Sequence, residues 1–478
     1  MKKYWLILAA SIIVNSSCKK FLVLPPKYEV STASFYKTQK DFETAMVGEY
    51  SELQDLYNAP MIYLGELTTD NATILWTSPT TSEMELNEMR ITTSNGFVSQ
   101  AWTINFKIIT ESNAILDYIA SASLSDAVKQ KYMGESKFLR AFAYFNLVRL
   151  YGDVPIVTTD FKSPVEIQAA DMSRQPVDKV YQLIISDLQE AETNLQGVTG
   201  LSKSRASVGA AKTLLGKVYL TMHQYSDAAT VLNDVISSVK YKLENNYATL
   251  FTNNNNELPE SIFEVKYLSG NIGEGNDYSS LFTPPSFNAG IFPGNMNGSG
   301  RIVPTYDVRH AYEPGDLRRK ASIMDSLRLQ NGSYAQIQYG LKMVDFTVGL
   351  PGDGGINYIP LRYADVLLMY AEALNELNRT DEAYPYINMV RERAGLGDLS
   401  GLSQDQFRLA LEKERRLEFL SEGHRWFDLL RSGRTIAVLN KYFTDNGLSF
   451  SVTPNELLMP VPQREIDINP NMKQNPGY

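Results

Sequence analysis

Apolar residues recur at helical spacing over most of the chain. Between Lys131 and Leu150, the residues Phe138, Phe142, Phe145 and Val148 fall at steps of four, three and three, the period of one helix face, and the run stops at Tyr151-Gly152-Asp153-Val154-Pro155. Thr38 followed by Asp41 has the form of a helix start, because the hydroxyl caps free N–H groups and the acid suits the positive end of the helix. Helical patterning dominates from residue 31 to about 245 and again over 358–478, so the fold class predicted is mainly α. Residues 246–357 break the pattern. Asn253 to Asn256 is a polar run, Ser261 to Tyr267 reads as a short strand, and Ser269 to Gly300 is rich in Gly, Asn, Ser and Pro. This insertion also carries Tyr278, Phe282, Phe287, Phe292 and Tyr306, and that aromatic content predicts an ordered region rather than a disordered one. From Leu457 to Tyr478, four prolines predict a segment lying extended against the body.

Two stretches repeat one pattern. Within Ala206–Val239, the residues Leu215, Gly216, Tyr219, Tyr225, Ala228 and Leu232 fit the tetratricopeptide repeat, two helices with a break near His223. Within Tyr363–Arg393, the residues Tyr370, Ala371, Leu374, Ala383, Ile387 and Val390 take corresponding places. Such pairs bury their apolar stripes on one another and form a scaffold.

The first residues have the layout of an export signal: Lys2 and Lys3, an apolar run from Tyr4 to Val14, then Ser16-Ser17-Cys18. The run is shorter than the ~20 residues that span a bilayer, which favours a cleaved signal over a retained anchor. Cys18 is the only cysteine and sits at the point of cleavage, where small residues before it suit a lipoprotein peptidase. The expected organisation is a signal peptide over 1–17, a lipidated tether over 18–30 with Pro25-Pro26 keeping it extended, and one domain over 31–478. Lipid on Cys18 would hold the protein on a membrane face with its body in water.

Composition narrows the chemistry. A net charge of −9 argues against a phosphate-neutralising surface, so nucleic acid is not an expected partner. One cysteine excludes an intrachain disulfide, and three scattered histidines make a multi-histidine metal site improbable; no metal or cofactor is expected. No GxSxG, HExxH or GxxxxGK[ST] motif occurs, although two carboxylates of a glycosidase could hide among 54 acids. The densest ionisable cluster is Glu412, Glu414, Arg415, Arg416, Glu418, Glu422, His424, Arg425 and Asp428. Glu418, Glu422 and His424 could be written as metal ligands, but alternating acids and arginines fit an ion-pair network better. Gly349 to Gly355, with Asp353, is a turn signal and at most a weak cation loop. A binding surface has more support: Asp70 and Asn71 precede Trp76 in a polar loop, and an indole face can stack on a sugar ring while Asp and Asn bond its hydroxyls. Trp102 and Trp426, in amphipathic helical contexts, are expected in the core.

Four stretches together resemble the SusD/RagB family of outer-membrane nutrient-binding lipoproteins: KFLRAFAYFNLVRLYGDVPI (137–156), YIPLRYADVLLMYAEALNELN (358–378), EKERRLEFLSEGHRWFDLLRSGR (412–434) and LLMPVPQREIDINPNMKQNPGY (457–478). GELTTDNA at 65–72 and NNNNELPESIFEVKY at 253–267 add to the likeness. The resemblance implies a tetratricopeptide-like helical scaffold with a variable loop-rich region over about 246–357. It also implies a non-catalytic protein, lipid-anchored at the outer membrane and facing outside, that captures oligosaccharides or peptides for a SusC-like TonB-dependent transporter. In glycan-binding members an early acidic residue joins aromatics from nearby loops and the variable region. Asp70 and Trp76 match by position, with Asn71 beside them; Tyr278, Phe282 and Tyr306 match by region only. A secreted glycoside hydrolase and a protein-binding adaptor remain as other readings.

Overall fold

The computed structural model describes residues 35–75, 78–285 and 290–478. Cys18 with the signal and tether, Trp76, and Phe287 lie outside the described residues. Helix α1 (Gln39–Asn58) opens with the predicted cap: Thr38 accepts from the Asp41 N–H, and the Asp41 carboxylate accepts from the Thr38 N–H at 2.7 Å. Helix α2 (Gly96–Ile119) is capped by Asn95, whose Oδ1 accepts from the N–H groups of Phe97 and Val98. Helix α3 (Asp126–Tyr151) starts five residues before the predicted stretch and ends where predicted, with Gly152 at φ 73°. Its Phe138, Phe142, Phe145 and Val148 are all buried, as is Trp102 of α2. Helix α4 (Val177–Asn194) packs along α3.

The repeat pattern is realised as α5 (Val208–Thr221) with α6 (Tyr225–Ser237), and α7 (Tyr363–Glu376) with α8 (Thr380–Arg393). The two turns are alike: His223 and Asn378 adopt φ 58° and 61°. The following N–H reaches back to close each helix, Gln224 to the Tyr219 carbonyl at 2.8 Å and Arg379 to the Leu374 carbonyl at 2.9 Å. A Cβ on Gly216 would lie 2.5 Å from Leu232 Cδ2, so the glycine sets how closely α5 and α6 approach. Helices α9 (Gln404–Glu418), α10 (Arg425–Arg431) and α11 (Thr435–Asp445) complete the scaffold, with Trp426 fully buried.

The strands are short and antiparallel. β1 (Ala72–Thr73) pairs with β3 (Val303–Pro304) in the register Ala72 to Pro304. β2 (Ser261–Val265), two residues shorter than the predicted strand, pairs with β8 (Tyr358–Arg362), and both are wholly buried. β4 (Ile323–Met324) and β5 (Leu327–Arg328) pair with β7 (Tyr339–Gly340) and β6 (Tyr334–Ala335) respectively. The insertion is thus ordered by small ribbons and by its own rings: Tyr278, Phe282 and Phe292 join the main core. The C-terminal segment departs from a wholly extended path, because Gln463–Ile468 forms a short helix after Pro462, a residue that suits the start of a helix. The rest is tied to α3 and its end: the Met459 N–H donates to the Leu150 carbonyl, and the Asn475 amide donates to the Tyr151 carbonyl. Among the described residues no helix is long and apolar enough to cross a membrane.

Candidate functional site

The acid–arginine cluster is built by helical spacing. Glu414 and Glu418 lie one turn apart on α9 and both face inward, where Arg318 donates to Glu414 at 2.5 Å and to Glu418 at 3.1 Å. Glu418 also accepts from Arg362 and Arg393, each at 2.5 Å, while Glu260 accepts from the same two arginines at 2.8 and 3.1 Å. Glu422 takes Arg362 Nε at 2.8 Å and the Lys342 ammonium. Burial alone would raise the Glu418 carboxyl, but Arg393, Arg362 and Arg318 hold it well below the usual carboxylate range. Burial pulls Lys342 down to about 8, against the attraction of Glu422. His424 stacks on Phe419 with centroids 4.6 Å apart, and burial with the nearby Lys217 pushes its ring far below the ordinary histidine value. The oxygens of Glu418 and Glu422 are therefore committed to guanidinium and ammonium groups, and the metal-site reading of Glu418, Glu422 and His424 gives way to a structural network.

The loop that carries Asp70 and Asn71 is locked from beneath. It follows a turn of π-helix, Tyr63–Leu67, and every residue from Met61 to Ala72 is buried. Gly65 is pressed on Gly423 so closely that a Cβ there would stand 2.3 Å from the Gly423 carbonyl oxygen. Glu66 is fully buried, accepts from the Gly423 N–H at 2.7 Å and from the Asn71 amide at 3.2 Å, and is pushed up by burial to about 7. Asp70 accepts a two-pronged contact from Arg425 at 2.8 and 2.9 Å and a third from Arg416 at 2.9 Å. Burial opposes its charge, but Arg416 and Arg425 still hold its carboxyl below the usual range. Arg416 also donates to Asn71 Oδ1 at 2.9 Å and to Asp307 at 2.7 Å. Thr305 completes the lock, its N–H donating to the Asn71 carbonyl and its hydroxyl to the Asp70 carbonyl. The expectation that Asp70 and Asn71 offer their side chains to a ligand is thus corrected: both point inward, and what they do is fix the path of the loop that leads to Trp76.

Tyr306 lies beside that loop and faces out. It opens the short helix Tyr306–Ala311, capped by Thr305, and is 68% exposed. His310, one turn on, lies 3.9 Å from it between ring centroids, and its Nδ1 is 2.7 Å from the Tyr306 carbonyl. The pairing of β1 with β3 brings this helix next to the Asp70–Leu75 segment, and Leu75 is itself exposed. Asp307 and Arg416 border the ring pair. On α11, Tyr442 lies close enough to Asp70 and Asp307 for their charges to add to the burial that pushes its phenol up to about 12. Tyr278 and Phe282 do not join this face. Both are fully buried; the Tyr278 hydroxyl donates to the Tyr57 carbonyl at 2.7 Å, and Phe282 packs under Gly340. A loop-rich insertion needs buried rings to fix it to the body, and these two join the main core, so their assignment to the ligand surface is corrected.

The sequence profile of the SusD family matches residues 330–478, and a SusD-like profile described as starch-binding and associating with the outer membrane matches residues 27–220. Over 517 aligned residues the chain is 30% identical to SusD-like protein P2 of Formosa agariphila, with 100% of both chains covered. The chain belongs to the SusD family. Starch-binding protein SusD of Bacteroides thetaiotaomicron is 24% identical over 443 residues, covering 77% of this chain and 76% of that one. A solved structure of a laminarin binding SusD-like protein matches with TM-score 0.79 and 26% identity, covering 93% of this chain and 100% of that one. SusD-family proteins are binding proteins, not enzymes, and this helical scaffold is theirs.

For this SusD-family chain, sequence reasoning placed Arg416 in the ion-pair cluster but not against the Asp70 loop, and it missed Asp307 and His310. Two signals were present. Glu412 and Arg416 share a helical face distinct from that of Glu414 and Glu418, and His310 stands at i+4 from Tyr306. Substituting Glu418 by Gln is expected to cost on the order of 3–5 kcal/mol, the scale of breaking a buried pair, while ligand affinity stays within twofold; thermal melting and titration calorimetry measure the two. Gly65→Ala is expected to cost roughly 1–3 kcal/mol through backbone overlap with Gly423, read from denaturant midpoints.

Proposed function

We propose that this SusD-family protein binds oligosaccharides without turning them over, on the face formed by Tyr306, His310 and the Asp70–Leu75 loop, and that Trp76, next in the sequence, contributes to binding. The observation that carries this reading is the exposed Tyr306 ring, backed by His310 and held beside a loop that buried arginines immobilise. A sugar hydroxyl only exchanges water for protein, a net gain near ~1 kcal/mol, so a shallow glycan site depends on aromatic faces for apolar contact. A loop fixed before binding costs little ordering entropy when the ligand arrives. The laminarin-binding and starch-binding relatives support a glycan as the ligand. In this reading, lipid on Cys18 anchors the protein at the outer membrane, facing outside, and a SusC-like TonB-dependent transporter receives the ligand. Tyr278 and Phe282 act indirectly, by shaping the insertion that carries Tyr306.

Tyr306→Ala and Trp76→Ala are each expected to weaken oligosaccharide binding by about 1–3 kcal/mol with the melting temperature retained. Titration calorimetry with starch- and laminarin-derived oligosaccharides checks this. Affinities equal to wild type in both variants, or binding of peptides in place of glycans, would overturn the assignment. Cys18→Ala is expected to move the protein from the membrane fraction to the soluble one, as followed by fractionation and immunoblotting; a variant that still sediments with membranes would refute the anchor.

A further inference from the structure

A small cavity of about 50 Å³ lies between α3, α5, β8 and α10, away from Tyr306, and Arg149, Lys217, His424, Phe427, Asp428 and Arg431 are among its walls. Asp428 and Arg431 also wall a wider groove of about 620 Å³ between the repeat helices and α9, so the cavity adjoins a space a solute can enter. One of its cations has no carboxylate partner. Lys217 pairs with Asp365 at 2.8 Å, Arg415 pairs with Asp365 at 2.8 Å and with Asp428 at 3.0 Å, and Arg431 pairs with Asp428 at 2.9 Å and with Glu372. Arg149 has no carboxylate at ion-pair distance among the described residues; its Nε donates to the Phe145 carbonyl and its Nη2 to Asn146. Lys217, Arg415 and Arg431 are thus matched by Asp365, Glu372 and Asp428, and Arg149 is left without an acidic partner among the described residues.

The surroundings of Arg149 restrict what can satisfy it. Its guanidinium is sandwiched between the rings of Phe145 at 3.9 Å and Phe427 at 4.0 Å, so both faces are covered and only the N–H edge remains for a partner. Burial draws Arg149 down only to about 10, which leaves it charged at neutral pH. His424 is 8% exposed, its ring makes no hydrogen bond among the described residues, and it is kept neutral by burial and by Lys217, so it can offer one N–H. The volume holds a few water-sized particles and is far too small for a sugar ring.

We propose that this cavity binds one small monovalent anion of chloride size, held by Arg149 with Lys217 and His424 and supplying Arg149 with the anionic partner it lacks. A monoanion matches the single cation left without a partner, and its size suits the volume. Crystals of the full-length protein soaked in sodium bromide test this directly. Anomalous scattering at the bromine edge should show a bromide at the Arg149 N–H edge, and peaks confined to the exterior overturn the proposal. In solution, chloride in place of gluconate at equal ionic strength should raise the melting midpoint by roughly 1–3 °C in a saturable way. Arg149→Met should lose that difference, and a variant that keeps it overturns the assignment. The bromide measurement on the wild-type chain decides the matter even where Arg149→Met does not fold.

Discussion

Glu418 holds three arginines with one carboxylate in a place water does not reach, and the rest of the architecture is arranged so that this is possible. Arg318 comes from a short helix of the insertion, Arg362 from the end of β8 and Arg393 from the end of α8. Taking these charges out of water costs several kcal/mol per ion, and the loss is offset only when every partner is in place. Scaffold, strand pair and insertion are therefore held to one relative arrangement, since any slip would leave a bare charge inside. Apolar packing supplies most of the favourable free energy, but it is non-directional; the ion network adds direction.

The same device recurs on a smaller scale at Asp70. Two arginines hold its carboxylate, one of them also grips Asn71 and Asp307, and Glu66 ties the preceding turn to Gly423. The outcome is a rigid platform edge. A binding face made of loops gains affinity when its loops are already fixed, so in the site proposed here charges that never touch a ligand would set how well the rings beside them bind one.

How far all this is legible in the sequence depends on the range of the interactions involved. The repeat helices are local: their period, the glycine at 216 and the αL turns at His223 and Asn378 are written within about forty residues, and α5 to α8 appear where the pattern puts them. The charge alternation around Glu418 is also local, and it predicts ion pairing, although it does not name Arg318 or Arg362 as partners. Rings are a different matter. Tyr278 and Tyr306 are the same residue type in the same insertion, and one is fully buried while the other is 68% exposed. Composition does not tell inside from outside there, because the loops lack a period. The inward turn of Asp70 is equally hidden, since its partner Arg425 is 355 residues away.

That last separation has a consequence for the order in which the molecule matures. A chain emerging N-terminus first presents Asp70 early, with nothing to hold it until α9 and α10 arrive near the C-terminal end. The helical pairs can form as they appear; the rigid loop cannot. Every incomplete chain, whether still in transit or truncated before Arg416, therefore carries an aspartate without its counter-ions and a loop without its floor. The fixed path of this loop is a property of the finished molecule alone, and it is completed only with the last tenth or so of the chain.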